Sequence, residues 1–171
     1  MPGFSLVGVL HGSTAEPVDI LCDLDVAMTE TGGPVVYATS RTGLSISTFS
    51  VGGGTATVQG WQSLPAGLSA LGGLSLQMVD LDGTPQAVSL AGGAAGLPSY
   101  AISATGGLAA TPSYLSGTGL DRQVTALAVA DVGGVQYLYA AGSGTSGVSR
   151  HEVTGATSLQ AGGTGAATAL P

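Results

Sequence analysis

The chain has 171 residues, of which 44% are hydrophobic, and this apolar content favours a folded core over a disordered low-complexity chain. Three arginines and no lysine stand against ten acids, for a net charge of −7, which argues against nucleic acid and anionic membrane surfaces as partners. The absence of asparagine from the sequence excludes N-glycosylation. The single cysteine, Cys22, cannot form an internal disulfide and is predicted to be a small buried side chain.

The sequence begins with an apolar run, Met1–Leu10, that ends at His11. No positive charge precedes this run and no small-residue cleavage site follows it, so it is predicted to be a strand and not a secretory signal peptide. No other stretch approaches the roughly 18 consecutive apolar residues of a membrane-spanning helix. We therefore expect no membrane span.

The first repeat unit contains four short apolar runs separated by glycine-rich turns, which predict a four-stranded antiparallel meander. The third run alternates apolar and polar residues, with a one-residue slip before Phe49, and this predicts one buried face and one wetter face. The predicted strands are Val18–Met28, Val35–Ser40, Leu44–Val51 and Ala56–Trp61.

Trp61 ends the fourth run and is the only tryptophan in the chain. Together with the Tyr137 and Tyr139 pair further along, it could stack on a sugar ring, because aromatic side chains combine apolar faces with a polar group. The alternative is that these large side chains fill a core otherwise built from small ones. The later units have no matching tryptophan, which favours the core interpretation. All three residues are nevertheless candidate ligand-binding residues.

The second unit carries the stronger of two metal-like motifs, since Cys22–Asp25 in the first unit lacks the turn glycine. Asp80, Asp82 and the turn residue Gly83 resemble the opening of an oxygen-ligand loop for calcium, which requires six to eight oxygens. No third acid follows, so an Asp-Gly turn is favoured, and Asp80 and Asp82 are the candidate ligands if calcium binds. The predicted strands of this unit are Leu74–Leu81, Gln86–Ala91, Leu97–Ser103 and Leu108–Tyr114.

The third unit begins with a strand that is nearly continuous in apolar residues from Thr125 to Ala130. Such a pattern is typical of a strand covered on both faces, as the strand nearest the axis of a propeller is. The predicted strands are Val124–Val132, Val135–Ala141, Val148–Val153 and Ala156–Gln160.

Two motifs in the third unit resemble parts of active sites. Gly142–Gly147 matches the phosphate-binding pattern G-x-G-x-x-G, but a strand follows it where a helix would be needed, so a turn is predicted. His151, like His11, would need an activated serine and an orienting acid, and no serine lies in a Gly-x-Ser-x-Gly motif. We therefore expect that the chain is not an enzyme.

The three units repeat one another, since the turn residues Gly33, Gly83 and Gly133 lie fifty residues apart. Fixed periods of roughly 40 to 50 residues with four short strands each are typical of propeller blades. The sequence therefore predicts an all-β chain of about three four-stranded propeller-like blades, a partial or open β-propeller. We assign a single repeat domain, 1–171, with units at about 18–65, 70–116 and 122–165 and a partial strand before and after.

Three units do not close a propeller, which typically has about four to eight blades. Three explanations stay open: the chain is a piece of a longer protein, several copies complete a ring, or the edges are left open. One apolar face is predicted to be uncovered at either end, so the isolated chain should associate or aggregate. The predicted members of these faces are Ile20, Leu21 and Val26 at one end and Val148, Val153 and Leu159 at the other.

The runs Pro34–Ser45 and Val135–Gly142 resemble the propeller-like region ahead of the calcium-binding nonapeptide repeats in some bacterial RTX, or haemolysin-type, secreted proteins. The likeness spans most of the chain, although the nonapeptides G-G-x-G-x-D-x-U-x are absent. The resemblance implies a non-catalytic portion of an extracellular protein that is exported through a C-terminal signal. It transfers no calcium ligand to any residue of this chain.

The sequence therefore favours a non-catalytic extracellular structural or binding module, part of a larger secreted bacterial repeat protein. The alternative is a carbohydrate-binding propeller completed by oligomerisation. We expect no cofactor except calcium at the two aspartates, and the expected partners are a protein or carbohydrate ligand and further copies of the chain. Tyr37 and Tyr139 occupy matching second strands, and both rings are predicted to be largely buried.

Overall fold

In the residues that it describes, the computed structural model is all-β, with twelve strands. The described residues are 21–31, 33–40, 44–53, 55–64, 75–81, 83–90, 96–115, 120, 124–142, 147–155 and 158–166, with the backbone alone for 142, 147, 154, 155 and 158–166. No helix is present among them. The strands are β1 Leu21–Met28, β2 Pro34–Ser40, β3 Ser45–Gly52, β4 Thr55–Ser63, β5 Leu76–Leu81, β6 Thr84–Ser89, β7 Leu97–Ala101, β8 Ser113–Leu115, β9 Val124–Val132, β10 Val135–Gly142, β11 Gly147–Gly155 and β12 Ser158–Ala166.

The strands form three four-stranded sheets, each an antiparallel meander of consecutive strands. Sheet 1 contains β1 to β4, sheet 2 contains β5 to β8, and sheet 3 contains β9 to β12. The predicted all-β class and the predicted four-strand meanders are confirmed. The fourth strand of sheet 2 is shorter than predicted: Leu108 forms only a single bridge with Ile102, and β8 begins at Ser113. Pro112 has no N–H to donate to the ladder, which limits the pairing before β8.

The sheets contact one another in chain order, because β5 touches both β1 and β9. The first core lies between sheets 1 and 2, where Tyr37 and Ile46 meet Leu76 and Tyr100. The second core lies between sheets 2 and 3, and it is larger. Its buried members are Val79, Leu81, Val88, Leu90, Leu97, Leu115, Leu120, Val124, Leu127, Leu138 and Ala140. Among the described residues, sheet 2 contributes to both cores, whereas sheets 1 and 3 each contribute to one.

Two carboxylates of β1 join sheet 1 to sheet 2. The backbone N–H groups of Leu76 and Met78 on β5 donate to Asp23 Oδ2 and Asp25 Oδ2, both at 2.9 Å. Asp23 Oδ2 also accepts a hydrogen bond from the Ser75 hydroxyl at 3.1 Å. An unpaired strand edge exposes such N–H groups, and here the acidic side chains of the neighbouring strand satisfy them.

The inward position of these acids sets which residues of β1 are exposed. Cys22 is exposed, so the prediction of a buried cysteine is wrong. Because Asp23 and Asp25 point to β5, the alternate positions Leu24 and Val26 are exposed, although they are apolar. Strand alternation thus places the carboxylates where hydrogen-bond donors need them and leaves an apolar face uncovered.

The third strand of sheet 1 differs from its predicted pattern in one respect. The predicted slip before Phe49 is confirmed, since the pairing of β3 with β4 shifts register between Thr48 and Phe49. The wetter face is not observed, because Ser45 and Ser47 are as buried as Ile46. β3 lies between β2 and β4, and an inner strand has less access to solvent than an edge strand does.

The predicted burial of Tyr37 is confirmed, with no exposed ring surface, but the matching prediction for Tyr139 is wrong because its side chain is only half-buried. The β5–β6 and β9–β10 hairpins both have two-residue turns, so Val88 of sheet 2 corresponds to Tyr139 of sheet 3. Val88 is covered by sheet 3, whereas no described residue covers Tyr139 in the same way. Leu138 is the residue of β10 that enters the core.

Candidate functional site

Trp61 lies on β4, at the outer edge of sheet 1, and 48% of its surface is exposed. A tryptophan that is half exposed is not filling the core, so the core interpretation of this residue is wrong. β4 pairs with β3 along one edge only, with Gly60 opposite Thr48 and Trp61 opposite Ser47. Gly60 carries no side chain, and a Cβ there would meet only Thr48 Oγ1, at 3.9 Å, which leaves space on the face of the strand opposite the indole.

A cleft of about 300 Å³ opens at this edge, and residues of two repeat units line it. Sheet 1 supplies the residues around Trp61, and the connection between β7 and β8 of sheet 2 supplies the opposite wall. None of the described lining residues carries a charge. The lining residues are Thr48, Gln59, Gly60, Trp61, Gln62, Thr105, Gly107 and Leu108.

A tight turn holds the opposite wall of the cleft in place. Ser103 N–H donates to Gly107 O at 2.9 Å, Gly106 N–H donates to Ser103 O at 2.8 Å, and Gly107 N–H donates to Ser103 Oγ at 2.9 Å. Gly106 has a φ of 91°, and a Cβ there would approach Val35 Cγ2 to 2.6 Å. Only glycine fits this position, because it tolerates both the positive φ and the close approach.

The turn is anchored to sheet 1 by the buried side chain of Tyr37. Its hydroxyl donates a hydrogen bond to Gly106 O at 2.8 Å across the first core. Burial raises the pKa of Tyr37 to about 12, so the phenol keeps its proton and remains a donor. The first core therefore fixes the distance between the two walls of the cleft.

The polar groups of the cleft are amides and hydroxyls. Gln59 Nε2 donates to Ser50 Oγ at 2.8 Å, and Thr48 Oγ1 donates to Gly60 O at 3.1 Å, so both side chains have a fixed direction. Side-chain amides offer both donors and acceptors, and hydroxyls do the same. With the apolar face of Trp61, these groups suit a neutral ligand that carries several hydroxyls.

Tyr137 and Tyr139 do not share this cleft, because they lie on β10 of sheet 3. Their ring centroids are 6.5 Å apart and the ring planes are tilted by 54°. The guanidinium carbon of Arg150 lies 5.0 Å from the Tyr137 ring centroid. The tilted rings do not form a flat platform for a sugar, and Arg150 already covers part of one of them.

Calcium binding by Asp80 and Asp82 stays a prediction. Asp80 is exposed at the end of β5, and its N–H donates to Gln136 Oε1 of β10 at 2.8 Å. Asp82 lies outside the described residues. Among the residues that are described, no three His, Cys, Asp or Glu side chains group together to hold a metal. Calcium at Asp80 and Asp82 therefore stays an expectation from the sequence.

His151 is fully buried on β11, and His11 lies outside the described residues. The Ser149 hydroxyl donates to Ala140 O at 3.2 Å, so its oxygen accepts the hydrogen bond from His151 Nε2 at 2.9 Å. Nδ1 of His151 is then unprotonated, and it has no hydrogen-bond partner among the described residues. Because this serine–histidine pair is enclosed, a substrate in solvent cannot reach it in this conformation.

We expect His151 to make the fold sensitive to mild acid. Burial lowers the pKa of His151 below its usual value of 6.5, so the unfolded chain binds a proton at a pH where the folded chain does not. The contribution of neutral His151 to the unfolding free energy is fully present above about pH 6.5. It is lost as the pH falls toward the folded-state pKa, by at most about 1.4 kcal/mol per pH unit. Urea unfolding between about pH 7 and pH 5 measures this slope.

The control for this prediction is His151→Leu, which cannot bind a proton. Its unfolding free energy should lack the part of the pH dependence that comes from His151. A wild-type slope equal to that of His151→Leu over this pH range would contradict the prediction.

Neither a protein-family model nor a curated protein matches the chain. In the described part of the chain, no helix is long and apolar enough to cross a membrane. The resemblance to the RTX proteins thus stays a prediction from the sequence, and the geometry of the Trp61 cleft carries the functional argument.

Proposed function

We propose that the chain is a non-catalytic binding module that holds one residue of a neutral saccharide in the Trp61 cleft. One observation carries the proposal: a half-exposed tryptophan lies beside side-chain amides and hydroxyls in an uncharged cleft. Sugars present an apolar ring face edged by hydroxyls, which is the chemistry that this lining complements.

The size of the cleft supports a small ligand. Its volume of about 300 Å³ lies at the lower end of the range for small-molecule sites. Because β4 is the edge strand of sheet 1, the cleft lies at the edge of that sheet, and a longer saccharide could continue past it. The absence of charge among the described lining residues argues for a neutral sugar over an acidic one.

The proposed setting is a bladed protein of the propeller type, outside the cell. What supports the bladed arrangement is the stacking of three meanders in chain order, with the first strand of sheet 2 beside the first strands of both neighbours. Each blade of a propeller places its first strand near the axis in this way. The extracellular location rests on the sequence alone.

The single tryptophan makes the cleft directly observable. We expect that titration with a panel of neutral oligosaccharides shifts the emission of Trp61 for at least one sugar, because the indole is half exposed before binding. Gln62→Ala keeps the fluorophore and should weaken the binding by about tenfold, equivalent to about 1.4 kcal/mol. Trp61→Ala, followed by calorimetry, should remove the binding.

Tyr114→Ala is the matched control, since Tyr114 is 43% exposed and does not line the cleft. Its affinity should equal that of the wild type. A panel that produces no response in emission or heat, or a sugar that binds Trp61→Ala as tightly as the wild type, would contradict the proposal.

A further inference from the structure

No described residue covers two of the apolar sheet faces, one on sheet 1 and one on sheet 3. The sheet 1 face is formed on β1 by Leu24, Val26 and Met28, which are 61%, 48% and 67% exposed. The sheet 3 face contains Val132 and Val148 at its opposite ends, which are 56% and 46% exposed, and the charged side chains of Arg150 and Glu152 lie on the same face between them. Contiguous exposed apolar area is typical of interaction surfaces.

The sequence-based prediction of these faces is confirmed in part. Leu21, Val26 and Val148 are exposed as expected, whereas Val153 packs against the second core. Ile20 and the side chain of Leu159 are outside the described part of the chain.

The sheet 3 face corresponds to a face of sheet 2 that is already covered. The two-residue turns align Leu81 with Val132, and the same register aligns Val88 with Tyr139. Leu81 and Val88 are fully buried, and the sheet that covers them is sheet 3. The corresponding face of sheet 3 is therefore built as the face onto which a following sheet packs.

The sheet 1 face corresponds to the opposite face of sheet 2. On β5, the residues whose N–H groups point to the free edge, Leu76 and Met78, place their side chains toward sheet 1. On β1, Leu24 and Val26 have N–H groups at the free edge, where Asp23 and Asp25 accept them at 2.9 and 2.8 Å. In a strand of L residues the side-chain face follows from the direction of the N–H group. The face of β1 that carries Leu24 and Val26 therefore corresponds to the face of β5 that carries Leu76 and Met78.

We propose that the sheet 3 face of one copy packs on the sheet 1 face of a second copy, so that copies join head to tail. The two uncovered faces differ from each other. They correspond to the two faces that meet between sheets 1 and 2 and again between sheets 2 and 3. Small residues on one face also match large ones on the other, because exposed Ala126 and Ala128 on β9 leave room for Leu24 and Met28.

The amino-acid pattern of β9 supports this joint. Its nearly continuous apolar sequence is typical of a strand covered on both faces, yet Ala126 and Ala128 are exposed in the single chain. Two copies joined at both ends would place six sheets in a ring, which lies within the about four to eight blades of propellers. The joint does not depend on the ligand of the Trp61 cleft, because β1 and β9 do not line that cleft.

The test uses two variants that each block one face. Val26→Glu with Met28→Glu blocks the sheet 1 face, and Val132→Glu with Val148→Glu blocks the sheet 3 face. All four positions are exposed, so circular dichroism and the melting temperature should report a folded chain. Mass by light scattering at micromolar concentration is the measurement, and Tyr114→Glu is the control substitution outside both faces.

We expect the wild type and Tyr114→Glu to be oligomeric and each blocked variant to be monomeric. Mixed in equal amounts, the two blocked variants should form a dimer that grows no further, because only one pair of complementary faces remains. Three results would overturn the proposal: a monomeric wild type, a blocked variant that still associates through its remaining face alone, or a mixture that stays monomeric.

Discussion

The Tyr37→Ala variant is expected to lose about 3 to 5 kcal/mol of unfolding free energy, the cost of removing a large aromatic side chain from a core. Tyr37 has no exposed surface, and it packs in the first core together with Ile46 and Tyr100. The substitution also removes the hydrogen bond that holds Gly106 at 2.8 Å. Urea denaturation, with the slope compared between variant and wild type, measures the loss.

Two control variants separate the causes. Tyr37→Phe keeps the ring and removes only the hydroxyl, so it should cost about 1 kcal/mol. Tyr139→Ala removes a ring that is only half-buried, and its cost should be clearly smaller than that of Tyr37→Ala. Equal losses for Tyr37→Ala and Tyr139→Ala would mean that the described difference in burial is wrong.

Removal of the β1 carboxylates is expected to have the second large effect. Asp25→Ala leaves the N–H groups of Val26 and Met78 without the oxygens that accept them, and Asp23→Ala does the same for Leu24 and Leu76. Hydrogen bonds to a charged group contribute about 1.5 to 3 kcal/mol, so each substitution should cost about that much. Unfolding free energy from urea denaturation again gives the value.

The matched control is Asp131→Ala, because Asp131 is exposed and makes a local hydrogen bond with Gly134 N–H at 2.9 Å. It should cost about 0.5 to 1 kcal/mol. Asp25→Asn tests the role of the second oxygen, since it keeps the volume but replaces one acceptor with a donor. Unchanged unfolding free energy in all three variants, Asp25→Ala, Asp25→Asn and Asp131→Ala, would show that the carboxylates do not join the sheets.

Most strand positions could be predicted from the sequence, because each strand is short, rich in apolar residues and bounded by glycine turns. The register slip at Phe49 was also visible as a break in the alternation. The burial pattern of β1 could be predicted only in part: Val26 is exposed as expected, but Cys22 is exposed where burial was predicted. Its exposed Leu24 and inward Asp25 follow from hydrogen-bond donors on β5, more than fifty residues away, and periodicity within one strand contains no information about them.

Only part of the candidate site could be predicted from the sequence. Trp61 is a candidate from the sequence because an aromatic ring can stack on a sugar, but its exposure and its neighbours were not predictable. The opposite wall, with Thr105 and Gly107, comes from another repeat unit and has no motif of its own. The positive φ of Gly106 and its contact with Tyr37 are the features that position this wall, and they emerge only from the packing of sheets 1 and 2.

The most direct test of the Trp61 site is saturation-transfer NMR, in which irradiation of the protein's aromatic protons is detected on the ligand. With a neutral oligosaccharide that binds the chain, the protons on one face of a single sugar ring should receive the strongest saturation, because that face stacks on the indole. The same protons should lose the effect in Trp61→Ala and keep it in Tyr114→Ala. Saturation that is unchanged in Trp61→Ala would show that the sugar binds elsewhere and would contradict the site.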